Sequence, residues 1–265
     1  MKVTVCELPD PSRGLEEAWG DLAGHVRARG SDLVLLPEMP FGRWLPADPE
    51  PDPGAWEEAV RAHRRWNGRL GELGAPAVAA TRPVIRGGRR LNEAFVWTAT
   101  EGARPAHAKH YLPDEEGFRE ATWYDRGPGR FEPAVLGRGG DDGRDGVRAG
   151  FLVCTELWFP ERARSYGRAG IHLLLAPRAT PGYSREKWLA AGRTAAVIAG
   201  AWGLSSNRSG PGPSDAFDWA GGGWVVGPDG DVAGVTSSAE PFLTVAIDPA
   251  TAEAAKSTYP RYVEE

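Results

Sequence analysis

Cysteine is scarce in this sequence: Cys6 and Cys154 are the only two among 265 residues. A single disulfide between them is formally possible, but one bridge is unusual in a chain of this size without an export signal. We therefore expect two free thiols. Cys6 lies inside a strand-like segment with no reactive residue nearby in sequence, so we expect it to be a core residue.

Long apolar runs and an excess of basic charge are also absent. No apolar segment is long enough to cross a bilayer, and the N-terminus lacks the charged and apolar regions of a signal peptide. The 31 basic and 36 acidic side chains are well mixed and give a net charge of -5, so no basic stripe could follow a phosphate backbone. We expect a cytoplasmic protein with neither a nucleic-acid nor a membrane partner.

The five histidines do not show the spacing of a metal site. His107 and His110 flank Lys109, and a cysteine–histidine hydrolase would need one of them to reach Cys154. The residues around Cys154 do not match the papain-like signature, which argues against that arrangement. We expect no metal and no cofactor.

What the sequence does contain is an ordinary globular composition, with 41% hydrophobic and 25% charged residues. That balance is sufficient for a substantial core. The 35 glycines and 23 prolines separate apolar segments and do not form a low-complexity block. Because neither an internal repeat nor a linker is evident, residues 1–265 are predicted to form a single domain.

Strand-like and helix-like segments alternate along the chain. Period-two alternation predicts a strand over residues 2–6, and apolar residues at helical spacing predict a helix from Leu15 to a cap at Gly30. The same reasoning predicts further helices over residues 55–73, 161–170 and 184–200, and further strands over residues 32–36, 75–83, 91–98, 147–153, 171–177, 203–207, 223–227 and 242–247, with one more strand leading to Lys109. Glycine-containing turns at residues 86–89 and 228–230 predict hairpins. The alternation indicates an α/β fold.

Three polar side chains stand where predicted strands end: Glu38, Lys109 and Cys154. A strand end can aim a side chain rigidly while the following loop leaves it accessible, which is typical of catalytic groups. Taken singly, each has an ordinary structural explanation. The glutamate could be a cap or an ion pair, the lysine a solvated charge and the cysteine a small core residue. The surrounding residues decide between these interpretations.

Each of the three residues lies in a longer motif, and the motifs read LVLLPE over residues 33–38, KHYLPDEEGFRE over residues 109–120 and GFLVCTELWFPERAR over residues 150–164. In this order they resemble the motifs of the nitrilase superfamily of carbon–nitrogen hydrolases, in which a glutamate, a lysine and a cysteine form a catalytic triad. The similarity continues through residues 176–180, 206–208 and 222–230, so it covers nearly the whole chain.

The resemblance implies a four-layer α-β-β-α sandwich, often assembled into dimers or larger oligomers through its outer helices. We place the C-terminal tail, residues 249–265, at such an interface. The resemblance also implies that Cys154 attacks an amide-type carbon, that Glu38 accepts the thiol proton and that Lys109 supplies positive charge. The backbone N–H of Thr155 is the predicted second donor to the oxyanion.

A second glutamate beside the lysine is a further feature of the family. Glu120 occupies the position found in the carbamoyl-hydrolase branch, and Glu116 suits the pattern of some amidase relatives. Both are candidates, and Glu120 is preferred. Trp158 and Arg178 complete the predicted substrate-binding set with Thr155 and Glu116.

The residues after the nucleophile bear on substrate choice. Carbamoyl-hydrolase relatives hold the substrate carboxylate with an arginine there, but this chain has Leu157 and Trp158, which argues against a carboxylate-bearing substrate. Glu156 replaces a frequent aspartate, and Gly223 replaces a frequent serine. With 11 tryptophans, several of them near the motifs, an apolar or planar acyl group is expected.

The predicted function is hydrolysis of a non-peptide carbon–nitrogen bond in a small-molecule amide or N-carbamoyl compound through a cysteine thioester. Nitrile hydrolysis and acyl transfer to an amine are the alternatives, because the same triad serves all three reactions. A non-enzymatic binding protein is the remaining class. An inactive relative is expected to lose at least one triad residue, and all three are present.

Overall fold

The computed structural model describes residues 1–136, 146–214 and 217–263. These residues form six α-helices: α1 (Leu15–Arg29), α2 (Pro53–Asn67), α3 (Glu120–Trp123), α4 (Pro160–Arg168), α5 (Arg185–Ala199) and α6 (Pro249–Ala255). They form fifteen β-strands: β1 (Lys2–Pro9), β2 (Leu33–Leu35), β3 (Ala77–Arg86), β4 (Arg89–Thr98), β5 (Gly102–Ala108), β6 (Asp114–Glu115), β7 (Phe118–Arg119), β8 (Ala134–Leu136), β9 (Val147–Phe151), β10 (Leu173–Arg178), β11 (Trp202–Pro211), β12 (Asp218–Ala220), β13 (Trp224–Val226), β14 (Val232–Val235) and β15 (Phe242–Ala246).

Two sheets form the centre of the molecule. In the first, the strand order is β5-β4-β3-β2-β1-β15, and β1, β2 and β3 are parallel. In the second, the order is β8-β9-β10-β11-β13-β14, and β9, β10 and β11 are parallel. The two sheets join where the end of β1 pairs with the end of β11, at Glu7 and Asn207. The carboxyl ends of both parallel sets therefore meet.

The inner faces of the two sheets pack on each other, and helices cover the outer faces. In β1, Val3 and Val5 belong to the core that the sheets share, whereas Cys6 and Leu8 pack with α1. Helices α1 and α2 contact the first sheet, and α5 contacts the second sheet and α4. Burial of apolar surface on both faces, at about 25 cal/mol per Å², holds these four layers together. The arrangement is the α-β-β-α sandwich that the motifs implied.

Most predicted elements are present with their ends shifted by a few residues, and one is wrong at its C-terminal end. The helix predicted over residues 55–73 ends at Asn67, and residues Leu70–Leu73 form a separate 3-10 turn. Gly68 stands at the break. A glycine in a helix interior costs about 1 kcal/mol relative to alanine, so it favours an end to the helix at this point. Among the described helices, none has both the length and the apolar character needed to cross a bilayer.

The C-terminal tail packs against its own chain, and its last two residues, 264–265, lie outside the described part. Lys256 follows α6 and donates a hydrogen bond to the Ala199 carbonyl at the end of α5, with a distance of 3.0 Å. Tyr259 and Tyr262 remain 74% and 61% exposed. That this tail lies at an oligomer interface stays a prediction.

Candidate active site

The strands place three functional side chains at one edge of the sandwich. Glu38 follows β2, Lys109 follows β5 and Cys154 follows β9. Strand β5 runs in the direction of β2, because β2 and β3 are parallel while β3, β4 and β5 alternate. The Glu38 N–H donates to the carbonyl of Arg178 at the end of β10, with an N···O distance of 3.1 Å. This hydrogen bond ties the carboxyl ends of the two sheets together at the site.

The Lys109 ammonium lies between two carboxyl groups at the centre of the site. Its Nζ donates to Glu38 Oε1 at 2.8 Å and to Glu120 Oε1 and Oε2 at 2.7 Å each. Lys109 and Glu38 are 0% exposed, and Glu120 is 1% exposed. Because these charges have lost their water, each depends on its partners for compensation. Removal of the lysine would leave both acidic groups without a compensating charge.

The two carboxylate oxygens of Glu38 have different environments. Oε1 accepts hydrogen bonds from Lys109 and from Asn92 Nδ2, the latter at 2.7 Å. Oε2 is buried and has no hydrogen-bond partner among the described residues. An unsatisfied buried acceptor costs about 1–3 kcal/mol, and such groups are rare in folded proteins. This oxygen is therefore available to accept a proton.

Cys154 is held in a strained backbone conformation at the start of the 3-10 turn Cys154–Trp158. Its φ is 49°, and Met39, which directly follows Glu38, has a φ of 48°. Such left-handed conformations cost roughly 1–3 kcal/mol for residues other than glycine, and they concentrate at functional sites. The Cys154 side chain is buried, and its Sγ lies 4.0 Å from the carbonyl oxygen of Ala179. The strained backbone is thus that of Cys154 itself and of the residue that follows Glu38.

The surroundings set the protonation of the nucleophile and of the lysine. Burial raises the pKa of the Cys154 thiol, the Glu38 carboxylate raises it further, and the Lys109 ammonium offsets only part of this. Burial alone would lower the pKa of Lys109, but the carboxylates of Glu120 and Glu38 outweigh that effect and raise it. The resting site therefore holds a neutral thiol beside a charged ammonium.

Glu120 is a buried carboxyl group whose pKa is shifted towards neutrality. Burial raises its pKa to about 8, and the Lys109 ammonium offsets part of that effect. At a pH between 4.5, the ordinary pKa of a glutamate, and about 8, Glu120 keeps a proton in the folded protein that it has released in the unfolded chain. The stability that this group contributes is therefore greatest at low pH and declines as the pH rises towards 8.

We expect Glu120→Gln to flatten this pH dependence, since glutamine does not titrate. The wild-type free energy of unfolding should fall by up to about 1.4 kcal/mol per pH unit more steeply than that of the variant over this range. Urea unfolding at several pH values between about 5 and 8 measures both slopes. Glu116→Gln, at an exposed glutamate on the same segment, is the control and should keep the wild-type slope. Parallel slopes for Glu120→Gln and the wild type would contradict the shifted pKa.

The structure separates the two candidates for the second glutamate. Glu120 begins α3 and reaches Lys109 with both oxygens. Glu116 lies in the turn between β6 and β7, is exposed to solvent and does not line the cavity at Cys154. The neighbouring Glu115, the last residue of β6, lines the cavity instead. The structure therefore does not bring Glu116 to the site.

Arg178 also lies outside the substrate cavity, contrary to its predicted contact with substrate. Its guanidinium is fully buried and donates to Ser205 Oγ at 2.7 Å, to Thr180 Oγ1 at 2.9 Å and to the Gly222 carbonyl at 2.8 Å. It stacks on Trp224 at 3.9 Å from the ring centroid. Burial lowers its pKa to about 9. Arg178 therefore supports the cavity wall at Thr180 from behind.

Glu156 is a site-forming residue whose role the motifs did not reveal. Its carboxylate accepts hydrogen bonds from the Val153 N–H at 2.9 Å, from His107 Nε2 at 2.8 Å and from the His110 N–H at 2.8 Å. It is 0% exposed. The contacts fix the loop that carries the cysteine to the segment that carries Lys109. A glutamate in place of a frequent aspartate was the one sequence signal, and it did not point to this contact.

Asn92 and Arg208 are two further residues that sequence motifs did not assign. Asn92 orients Glu38 through its side chain and also accepts the Lys109 N–H at its carbonyl, at 2.9 Å. Arg208 is buried and donates to the backbone carbonyls of Glu38 at 3.1 Å and of Met39. Both residues hold the loop after β2, in which Met39 has a positive φ. A polar residue within an apolar strand was the available signal for Asn92.

A cavity of about 410 Å³ opens at Cys154. Thr155 and Trp158, both predicted to contact substrate, line it, and Glu120 contributes to its inner wall. Trp158 lies against Trp188 with ring centroids 5.3 Å apart. Most of the remaining lining is aromatic or small. Over the described parts of the chain, no group of three or more histidine, cysteine, aspartate or glutamate residues could hold a metal ion.

The sequence profile of the carbon-nitrogen hydrolase family matches residues 2–257. The chain therefore belongs to this family and is an enzyme of the carbon–nitrogen hydrolase class, which confirms the resemblance seen in the motifs. A glutamine-dependent NAD(+) synthetase from Rhodobacter capsulatus is 31% identical over an alignment of 211 residues that covers 78% of this chain and 35% of the synthetase. A hydrolase from Mycobacterium tuberculosis is 29% identical over 265 residues, covering 93% of this chain and 88% of the hydrolase.

Solved structures share the fold. A carbon-nitrogen hydrolase from Helicobacter pylori G27 superposes with a TM-score of 0.82 at 20% identity. The superposition covers 98% of this chain and 94% of the Helicobacter chain. A mutant amidase from Nesterenkonia sp. AN1, with acrylamide added to its active-site cysteine, gives a TM-score of 0.73 at 24% identity over 96% of this chain and 95% of its own. The predicted four-layer fold class is confirmed.

Proposed function

We propose that this protein hydrolyses a small-molecule amide through a thioester on Cys154. The observation that carries the proposal is the buried Lys109 ammonium held between Glu38 and Glu120, with one Glu38 oxygen unpartnered among the described residues. This arrangement provides a proton acceptor, a fixed positive charge and a nucleophile together.

The first step begins from the neutral thiol. As the Cys154 sulfur forms a bond to the amide carbon, its proton passes to Glu38 Oε2, and the carbonyl π electrons move onto oxygen. Lys109 and the Thr155 N–H donate to this oxyanion. The Thr155 N–H lies in the first turn of a short helix, where N–H groups lack partners within the helix. Lys109 can reach the oxyanion by giving up one of its two contacts with Glu120.

The second half of the reaction returns the site to its starting state. The carbon–nitrogen bond breaks, Glu38 returns its proton to the leaving nitrogen, and ammonia or an amine departs from the thioester. Water then attacks the thioester carbon while Glu38 accepts one of its protons. Collapse of this second intermediate breaks the carbon–sulfur bond, and Glu38 returns the proton to the sulfur. The products are a carboxylic acid and the neutral Cys154 thiol.

The proposal is tested by the intact mass of the protein during turnover of primary amides, N-carbamoyl compounds and nitriles. We expect at least one compound to add its acyl mass to the protein, and peptide mapping should place it on Cys154. Cys6 is the internal control, because it is buried in β1 and burial raises its pKa to about 12. Turnover without a covalent adduct after rapid acid quenching, or an adduct on Cys6, would contradict the thioester. Adding hydroxylamine separates hydrolysis from acyl transfer by the ratio of acid to hydroxamate.

A further inference from the structure

A groove between α2 and the hairpin of β3 and β4 contains two cavities that the catalytic scheme does not use. The first has a volume of about 260 Å³ and is lined by Arg64 of α2 and by Arg82 and Arg86 of β3. The second, of about 230 Å³, lies against Val60 and the 58% exposed Ile85. Three residues, Val60, Arg64 and Ile85, line both cavities, so the two adjoin. Together they have the size of a small-molecule site.

The first cavity is positively charged, although the whole chain has a net charge of -5. Arg82 and Arg86 both pair with the buried carboxylate of Glu93, at 2.8 Å and 3.0 Å. The Arg64 guanidinium forms no hydrogen bond or ion pair within the described part of the chain. Three arginines and one carboxylate thus leave two positive charges without a counter-charge. His63 also lines this cavity, but burial lowers its pKa to about 3, so its imidazole adds no charge.

Several polar atoms along the groove lack a partner among the described residues. The Nη1 atoms of Arg82 and Arg86 make no hydrogen bond, because Glu93 accepts only from Nε and Nη2 of each. Asn67 Oδ1 in the first cavity and Trp56 Nε1 in the second are buried and unsatisfied. Buried polar groups without a partner are rare in folded proteins. The groove therefore has hydrogen-bonding capacity that the described fold leaves unused.

We propose that this groove binds a phosphate monoester with an apolar body. Such a phosphate carries about 1.5 to 2 negative charges at pH 7, which matches the two positive charges of the first cavity. Arginine binds phosphate oxygens through pairs of parallel hydrogen bonds. The second cavity takes the apolar body against Val60 and Ile85, whose exposed surface is then removed from water. Glu57, the one acidic residue among the described lining residues, pairs with Arg61 at 3.4 Å and leaves this cavity without an excess of negative charge.

The groove lies on the face of the first sheet that is opposite to the catalytic site. Arg82 stacks on Phe95, at 4.7 Å from the ring centroid, and Phe95 packs in the cluster that α1 covers. Glu93 is the cross-strand partner of Arg82. Asn92, the preceding residue, points to the other face, where it donates to Glu38. Binding in the groove therefore requires none of the catalytic residues and does not depend on the proposed hydrolysis.

The test is calorimetric titration of the full chain with three probes at low, constant ionic strength. Phenyl phosphate has both the dianion and an apolar body, inorganic phosphate lacks the body, and benzoate has a ring with a single charge. We expect a Kd for phenyl phosphate below about 1 mM, and affinities for the other two probes that are lower by about tenfold or more. Benzoate that binds as tightly as phenyl phosphate would overturn the assignment to a phosphate.

Variants locate the binding. Arg64→Gln and Arg86→Gln should each weaken phenyl phosphate by about tenfold or more. Two controls should keep the wild-type affinity: Arg65→Gln, at an exposed residue of α2 outside both cavities, and Lys187→Gln, in the cavity at Cys154. No binding at about 10 mM phenyl phosphate, or full affinity in both groove variants, would overturn the site. Loss of affinity in Lys187→Gln would do so as well, because the anion would then lie in the cavity at Cys154.

Discussion

Replacing Cys154 by alanine is expected to lower kcat by about a thousandfold or more and to abolish the acyl adduct. The variant keeps Lys109, Glu38 and Glu120, so the charge arrangement remains while the sulfur that forms the covalent bond is lost. Water would have to attack the amide directly, without the thioester that divides the reaction into two easier steps. Steady-state rates and intact mass, measured on the same preparations, give both readouts.

Folding of this variant needs its own check, because position 154 has a positive φ and is 4% exposed. Alanine removes only the sulfur and keeps a β-carbon, so the backbone strain is unchanged and the midpoint of urea unfolding should stay close to wild type. Cys6→Ala is the matched control: it removes the other thiol and should leave kcat unchanged. Residual turnover of Cys154→Ala within about tenfold of wild type would refute the nucleophile assignment.

Replacing Lys109 by methionine is expected to reduce both catalysis and stability. The buried carboxyl groups of Glu38 and Glu120 would lose the positive charge that lies between them. Removing one partner of a buried ion pair typically costs about 3–5 kcal/mol of folding stability. The oxyanion would also lose its charged donor, so kcat should fall by about 100- to 1000-fold or more. Urea unfolding and steady-state kinetics measure the two effects.

A double variant distinguishes the catalytic effect from the structural one. In Lys109→Met with Glu120→Gln, one of the two carboxyl groups that lose the lysine is replaced by an amide that never ionises, so part of the lost stability should return. The lost activity should not return, because the ammonium is still absent. Only a few-fold loss in the single variant, or recovery of activity together with stability in the double variant, would show that Lys109 acts through folding alone.

Local sequence was sufficient to locate the three residues of the predicted triad, because each is recognised by the residues next to it in the chain. Glu38 and Cys154 each follow a strand that is visible as an apolar segment, and all three residues, with Lys109, lie in motifs with recognisable neighbours. The structure brings the lysine and glutamate within 2.8 Å. Helix boundaries were less accurate: the segment predicted as one helix contains Gly68 and Gly71, and the helix ends just before the first of them.

Contacts between segments that are distant in the chain could not be predicted from the local sequence. Glu156 accepts hydrogen bonds from His107 and His110, and Arg208 donates to the carbonyl of Glu38. Such pairings depend on how strands align across two sheets, and local composition does not encode that alignment. The same limit left the second glutamate open until Glu120 was seen against Lys109.

The sequence by itself determined the family, the order of the triad and the alternation that makes an α/β fold, since these depend on residue type and spacing along the chain. Tertiary structure alone decided which oxygen of Glu38 is free, that the Cys154 thiol is buried and neutral, and that Lys187 shares its cavity. Burial and the distances between charges set protonation and recognition, and those quantities exist only once the two sheets have packed together.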